Sequence, residues 1–272
     1  MKYHQIQRIT QIVITVASIN LMGCGDDDRS LFSTSKDSKI ATKPSYEGER
    51  LNGIPHGKGI FTFPNGARYE GQLTNGKPNG FGVNLFANGD RYEGEYLKGK
   101  SHGQGKITMK SGSSYEGTWQ EGMMEGKGTY SYADGRRYEG DFHFSEIEGT
   151  GIMTYPDASR YEGEFKHGKR NGRGKLLLAD GKEYEGDFRD DKPNGIGIVK
   201  AGETVFKGEI KEGYRHGKGF FTTEDGSQYI GDWENGKRHG LGVAYDANGS
   251  IRFKGLWLND FAVPDATLPL AE

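Results

Sequence analysis

Tyr92-Glu93-Gly94-Glu95-Tyr96-Leu97-Lys98-Gly99-Lys100-Ser101-His102-Gly103-Gln104-Gly105-Lys106 is the stretch from which the rest of the chain is copied. Its opening tripeptide, Tyr-Glu-Gly, recurs at Tyr46, Tyr69, Tyr92, Tyr115, Tyr138, Tyr161 and Tyr184, a step of 23 residues every time. Looser copies open at Phe206, Tyr229 and Phe253, with steps of 22, 23 and 24. A fixed period of this size marks a repeat architecture, in which each unit is stable only against its neighbours.

Within one copy the side chains alternate. Tyr92, Gly94 and Tyr96 fall on one face of a strand, Glu93 and Glu95 on the other. On the second strand Gly103, Gly105, Ile107 and Met109 share a face, opposite Gln104, Lys106 and Thr108. Each copy therefore reads as a β-hairpin with an aromatic-plus-glycine face and a charged face. Asn65-Gly66, Asn88-Gly89, Asp134-Gly135 and their equivalents precede the next copy and are expected to supply the positive φ of tight hairpin turns. The strand glycines, Gly94 and Gly117 among them, are expected to leave room for an aromatic ring from a neighbouring strand. Ser145, Ala158 and Asp191 replace turn glycines, so those turns are expected to differ in shape and to let the array bend.

The pattern resembles the MORN family (membrane occupation and recognition nexus), from Tyr46 to about Phe261, as nine full copies and a partial tenth. The resemblance implies an all-β fold: a single-layer elongated array of hairpins forming a twisted sheet or groove. Composition agrees with a thin sheet. Glycine, at 45 of 272 residues, is more than twice its usual share, and 32 aromatic residues stand against few aliphatics.

The chain divides into residues 1–23, 24–45, 46–261 and 262–272. The first segment has the layout of a secretory signal: Lys2 and Arg8, then a mostly apolar run from Ile9 to Leu21 that is short for a membrane span. Leu21-Met22-Gly23-Cys24 looks like a bacterial lipoprotein cleavage site, with Cys24, the only cysteine, as the lipid attachment point. Residues 24–45 are rich in Asp, Ser, Thr and Lys. They read as a tether able to span about 25 Å. Residues 262–272 read as a cap on the open sheet edge. The expected location is a bacterial envelope, with the membrane reached through the lipid.

Several groups look like chemistry. Gly94-x-x-x-x-Gly99-Lys100-Ser101 matches a phosphate-binding loop in letters, but a real one opens a helix and this frame sits inside the repeat. His56, His102, His216 and His239 fall where other copies have Asn or Glu, and read as turn residues; no metal site is expected. The Glu ladder from Glu47 to Glu185 singles out no pair for acid–base work and reads as a salt-bridged face. No catalytic residues, cofactor, nucleotide or nucleic acid are expected, and the segments flanking the array are short for a catalytic domain. The reading is a non-catalytic binding or scaffold module. Its candidate groove is the aromatic stripe Tyr92, Tyr96, Tyr115, Trp119, Tyr138, Phe142, Tyr161 and Phe165, offered to a protein partner or to another copy of the chain. Direct lipid binding is the alternative that the family name suggests. Charge argues against it: without residues 1–23 there remain 34 basic and 38 acidic residues (36 − 2 and 38 − 0), a net charge of −4. A third reading, an accessory array like those of some phosphatidylinositol phosphate kinases, leaves the chain without a catalytic domain of its own.

Overall fold

A computed structural model describes residues 43–264. Segments 1–23 and most of 24–45, with Cys24, lie outside the described residues. All described secondary structure is β, in strands that pair antiparallel. In chain order the strands are β1 (Ser45–Leu51), β2 (Ile54–Thr62), β3 (Arg68–Thr74), β4 (Lys77–Leu85), β5 (Arg91–Leu97), β6 (Lys100–Thr108), β7 (Ser114–Gln120), β8 (Met123–Ser131), β9 (Arg137–His143) and β10 (Glu146–Thr154). They continue as β11 (Arg160–Lys166), β12 (Lys169–Leu177), β13 (Glu183–Arg189), β14 (Lys192–Ala201), β15 (Thr204–Lys211), β16 (Tyr214–Thr222), β17 (Gln228–Glu234), β18 (Lys237–Tyr245), β19 (Ile251–Leu258) and β20 (Phe261–Val263). Two compact units divide within this order, one running to Asp134 with residues 141–146, the other holding residues 135–140 and everything from Ile147.

Within a repeat the two strands join through two residues that both have positive φ. Examples are Asn52 and Gly53 (52° and 79°), Lys98 and Gly99 (52° and 90°), and Asn235 and Gly236 (49° and 85°). Two such residues in a two-residue loop are the signature of a type I′ hairpin, whose twist matches that of the strands. The Asn-Gly and Asp-Gly pairs do a different job from the one expected of them. They sit in the longer loop between repeats, where only the glycine has positive φ. The Asn65 side chain there accepts the Ala67 amide at 3.1 Å, and Asn88, Asp157, Asp180, Asp225 and Asn248 do the same two residues on.

The replaced glycines also correct the sequence reading. Ser145, Ala158 and Asp191 keep φ of 66°, 68° and 70°, so the turn conformation survives the loss of glycine. The Ser145 hydroxyl takes the Met124 amide, and Asp191 takes that of Arg170, which gives these two turns a hydrogen bond in return for their strain. At the far end, Asn259 and Asp260 form another positive-φ turn into β20, which pairs with β19 from Leu258↔Phe261 to Leu256↔Val263. The array thus continues through Val263, and residue 262 lies inside a hairpin.

The strand glycines are explained by a ring, though it comes from the same strand. The Tyr92 ring lies over Gly94, two residues on, and reaches across to Gly105 on β6, the residue paired with Gly94. At Gly117 an added Cβ would stand 2.6 Å from the Tyr115 hydroxyl, 2.6 Å from Gly128 Cα and 2.7 Å from the Lys127 carbonyl. Two facing glycines under one ring let the backbones close up beneath it.

Candidate binding surfaces

The ring layer is built by one contact repeated. Opening tyrosines donate their hydroxyl to the carbonyl three residues on, as Tyr69 to Gln72 at 2.7 Å, Tyr115 to Thr118 at 2.9 Å and Tyr184 to Asp187 at 2.8 Å, while Tyr138 donates to the Thr150 carbonyl at 3.4 Å. Within each unit, fifth-position rings stand edge-on between the opening aromatic of their own repeat and that of the previous one. Trp119 meets Tyr92 at 5.1 Å and 90°, and Tyr115 at 5.3 Å and 83°. Phe165 meets Tyr138 and Tyr161 in the second unit in the same way, both at 5.1 Å. Such edge-to-face pairs add about 0.5–1.5 kcal/mol each beyond their buried area.

All eight residues of the expected groove belong to this layer. Tyr92, Tyr96, Tyr115, Trp119, Tyr138, Phe142, Tyr161 and Phe165 are 0–6% exposed. Their faces are used up by one another and by bare glycine backbone, so they are core, with no groove-lining surface to offer. Burial pushes the phenols up: Tyr92, Tyr184 and Tyr229 to about 12, and Tyr69, Tyr96, Tyr115 and Tyr161 higher still.

The first glycine of each Gly-x-Gly is a bulge. Between β5 and β6 the register steps from Gly94↔Gly105 to Glu95↔His102, and Gly103 has φ of 60°. The bulge frees an amide, and the fourth residue of the repeat caps it. Glu95 accepts the Gln104 amide at 3.2 Å, Glu164 that of Arg173 at 2.8 Å, and Asp232 that of Leu241 at 3.0 Å. Glu95, which alternation placed on the charged face beside Glu93, is therefore a structural cap, as are its equivalents Glu164 and Asp232. In the ladder itself Glu70, Glu93, Glu139 and Glu162 pair with the arginine two residues earlier, as Arg91 to Glu93 at 2.6 Å and Arg160 to Glu162 at 2.8 Å, and Glu116 pairs with Lys106.

The row read as turn residues lies in strands. Its side chains reach forward to the next hairpin's turn: Asn79 to the Lys98 amide, Glu125 to that of Phe144, Glu148 to that of His167. His56, His102 and His239 occupy the same row with Nδ1 buried and unpartnered. The Gly94–Ser101 frame is a strand, a two-residue turn and a strand. Gly99 is a turn residue there, and Ser101 is buried.

Two features escaped the sequence reading. The outer face is charged only in places. Ile60, Phe81 and Val83 in the first unit, and Ile230, Leu241 and Val243 in the second, border shallow hollows floored by glycine. Phe81, Ile230 and Leu241 are 47–53% exposed. In addition, the position nine residues after the opening aromatic faces the rings. It is Pro55, Pro78, Ser101 or Met124 in the first unit; in the second it is Ile147 or Pro193 in two copies and Arg170, Arg215 or Arg238 in three others. Arg238 lies 4.2 Å from the centre of the Trp257 ring and Arg215 4.3 Å from that of Trp233. The readable signal was an arginine at a phase that other copies fill with small or apolar residues.

The MORN repeat pattern matches residues 46–68, 69–91, 92–114, 115–136, 138–160, 161–183, 184–199, 206–228 and 229–251. The chain belongs to the MORN repeat family. MORN repeats are generally binding or scaffold modules, and an all-β repeat of this kind is typically non-catalytic. No curated protein matches the sequence. Among solved structures, this MORN chain is similar to the TCP10 domain of Danio rerio CPAP in complex with a peptide of STIL, at 18% identity and a TM-score of 0.38, covering 78% of this chain and 100% of that one. The TCP domain of Drosophila melanogaster SAS-4, in complex with a proline-rich motif of Ana2, gives 10% identity and a TM-score of 0.29, over 84% and 99%. A streptogramin B lyase gives 14% and 0.18, over 82% and 91%. None of these likenesses bears on what this MORN array binds. Among the described residues no helix is long and apolar enough to cross a membrane.

Proposed function

We propose that this chain is a non-catalytic MORN scaffold, held at a bacterial cell envelope by a lipid on Cys24, that presents its outer face to a protein partner or to a second copy of itself. The observation that carries the reading is the apolar hollow of about 530 Å³ on the outer face of the second unit. Ile230, Leu241 and Val243 border it, Gly219, Gly231, Gly242 and Gly255 floor it, and Lys218 and Lys254 flank it. An apolar surface rimmed by charge marks an interaction site on an otherwise solvated protein. The bare glycine floor lets a partner's side chains approach the backbone closely. The rings that sequence alone nominated are committed to the core, so recognition falls to the face they support.

The test uses full-length protein in native membranes. In-membrane crosslinking should give a defined heteromeric or homomeric product with wild type. Ile230→Lys combined with Leu241→Lys should remove that product while leaving the melting temperature unchanged. Retention of the product by the double variant contradicts the reading. The anchor is checked separately: Cys24→Ala should accumulate a precursor that retains residues 1–23, and a wild-type protein with an intact Met1 by mass spectrometry contradicts it.

A further inference from the structure

Arg170 and Arg238 sit in matching settings. The Arg170 amide and Nε both donate to Asp191 Oδ1, at 3.0 and 3.3 Å, and Nη2 donates to the Asp191 carbonyl at 2.6 Å. The Arg238 amide and Nε donate to Asp260 Oδ1 at 3.0 and 3.1 Å, and Nη2 to the Asp260 carbonyl at 3.0 Å. In both cases the aspartate is the second residue of the next hairpin's positive-φ turn. A cation pressed against aromatic rings is thus given one carboxylate and one carbonyl by the neighbouring repeat.

Arg215 is the third member of the row and receives half of this. Its Nη2 donates to the Gly236 carbonyl at 2.9 Å. Gly236 has no side chain, and among the described residues no carboxylate forms an ion pair with Arg215. Burial disfavours its charge, Asp260 favours it from a distance, and Arg238 opposes it. Asp260 is itself engaged by Arg238. The space is open: a Cβ on Gly236 would meet only Tyr214 Cδ1, at 3.7 Å. Arg215 also lines a hollow of about 530 Å³ together with Phe221, Trp233 and Arg238, whose rim includes the acidic residues Glu224, Asp225 and Asp260.

We propose that Arg215 anchors a carboxylate-binding subsite, which takes an acidic side chain of a polypeptide in the place that Asp191 and Asp260 fill for Arg170 and Arg238. The carbonyl half of the setting is present, so the ligand need supply only the carboxylate oxygen for Nε. A charge-assisted bond of this kind is roughly twice as strong as a neutral one, and the concave surroundings exclude part of the competing water. The subsite lies on the ring-bearing face. It stands or falls independently of the outer-face hollow.

The experiment titrates the full-length protein with acetyl-Leu-Asn-Asp-Phe-amide, the sequence of residues 258–261 that supplies Asp260 in cis, and follows the arginine Nε–H resonances by NMR. The acidic peptide should shift one arginine resonance saturably, and its Asp→Asn counterpart should bind at least 10-fold more weakly. Arg215→Met should abolish the response. Gly236→Asp should abolish it too, by filling the subsite from within at the positive-φ position that Asp191 and Asp260 hold in their own turns. Equal binding of the two peptides, or undiminished binding by Arg215→Met, overturns the proposal. If Gly236→Asp does not fold, the Arg215→Met comparison decides alone. Sodium acetate is the second arm: saturation at lower concentration than the peptide overturns the polypeptide as source and assigns the subsite to free small carboxylates.

Discussion

The ring-bearing face and the outer face are made by alternate residues of the same strands, and they obey opposite rules. On the ring face Tyr115, Gly117 and Trp119 each have one job, and the neighbouring repeat depends on it: the Trp119 ring edges against Tyr92, and its indole N–H donates to the Gly105 carbonyl at 3.0 Å. On the outer face Glu116 pairs with Lys106 at 3.0 Å, with both side chains more than half exposed. The same rung is occupied by Ile230 with the register unchanged, and by Lys254 where the β18–β19 register slips by one residue just beyond it, between Ala244 and Tyr245. A repeat protein of this kind fixes its fold with one face and is free to vary the other. What distinguishes this chain from another array of equal length is therefore written on the outer face, and at the few ring-face positions, such as Arg215, where a charge intrudes.

Alkaline pH should separate the faces most strongly. A phenol whose pKa is raised on folding contributes stability that is fully present below its unfolded value of 10, and that is lost as pH rises through the folded value. Tyr92, Tyr184 and Tyr229 are raised to about 12 by burial, so each costs up to about 1.4 kcal/mol per pH unit between pH 10 and 12. The more strongly shifted phenols lose stability over the same range and beyond. Thermal melts should be flat from neutral pH to pH 10 and collapse above it, with tyrosinate absorbance rising together with loss of the β signal. Ionisation of most tyrosines in a protein that is still folded would mean that the rings are accessible after all.

Trp119→Ala comes next. Removing a buried ring of this size costs about 3–5 kcal/mol. The loss should appear as a lowered melting temperature in the first unit, without a specific effect on partner capture in protein that remains folded. Loss of capture at an unchanged melting temperature would return Trp119 to the surface.

Gly117→Val and Glu116→Val differ by one residue in sequence and by a whole face in space. Overpacking costs about 1–3 kcal/mol where side chains can yield. At Gly117 two of the three nearest atoms are backbone, so the upper end or more is expected. Glu116→Val gives up one exposed ion pair, about 0–1 kcal/mol. Equal melting temperatures for the two variants would refute the ring-over-glycine packing.

This contrast also separates what was legible in the sequence from what was not. The period, the strand count and the ring-and-glycine phase follow from alternation, because a two-residue periodicity survives twenty times over. The exchange of roles between the two turn types was not legible. Asn65-Gly66 and Lys98-Gly99 both supply one positive-φ glycine, and only the loop length decides that Lys98 must adopt positive φ as well. The caps at Glu95 and Asp232 were hidden by the bulge at the first glycine of Gly-x-Gly, which throws one amide out of phase and makes an apparently solvated acid structural. The nominated groove failed for a different reason. Alternation says which side chains share a face, but it cannot tell a face closed by its own rings from one left open to a partner.

The smallest effect on stability is expected from the change with the largest expected effect on recognition. Ile230 and Leu241 stand on the outer face of β17 and β18, about half exposed, beside Gly231 and Gly242. Replacing both by lysine removes little buried area, and exposed substitutions of this sort usually stay within about 0.5 kcal/mol each. Lys218 and Lys254 already flank the hollow, so the added charges meet like charge across a wet surface, where the Debye length of about 8 Å at physiological salt limits the repulsion. The melting temperature should therefore move by no more than a degree or two, and the far-ultraviolet spectrum should not change. A large destabilisation would show that the outer-face apolar residues serve the fold, as the rings do, and the distinction between the two faces would then fail in the second unit.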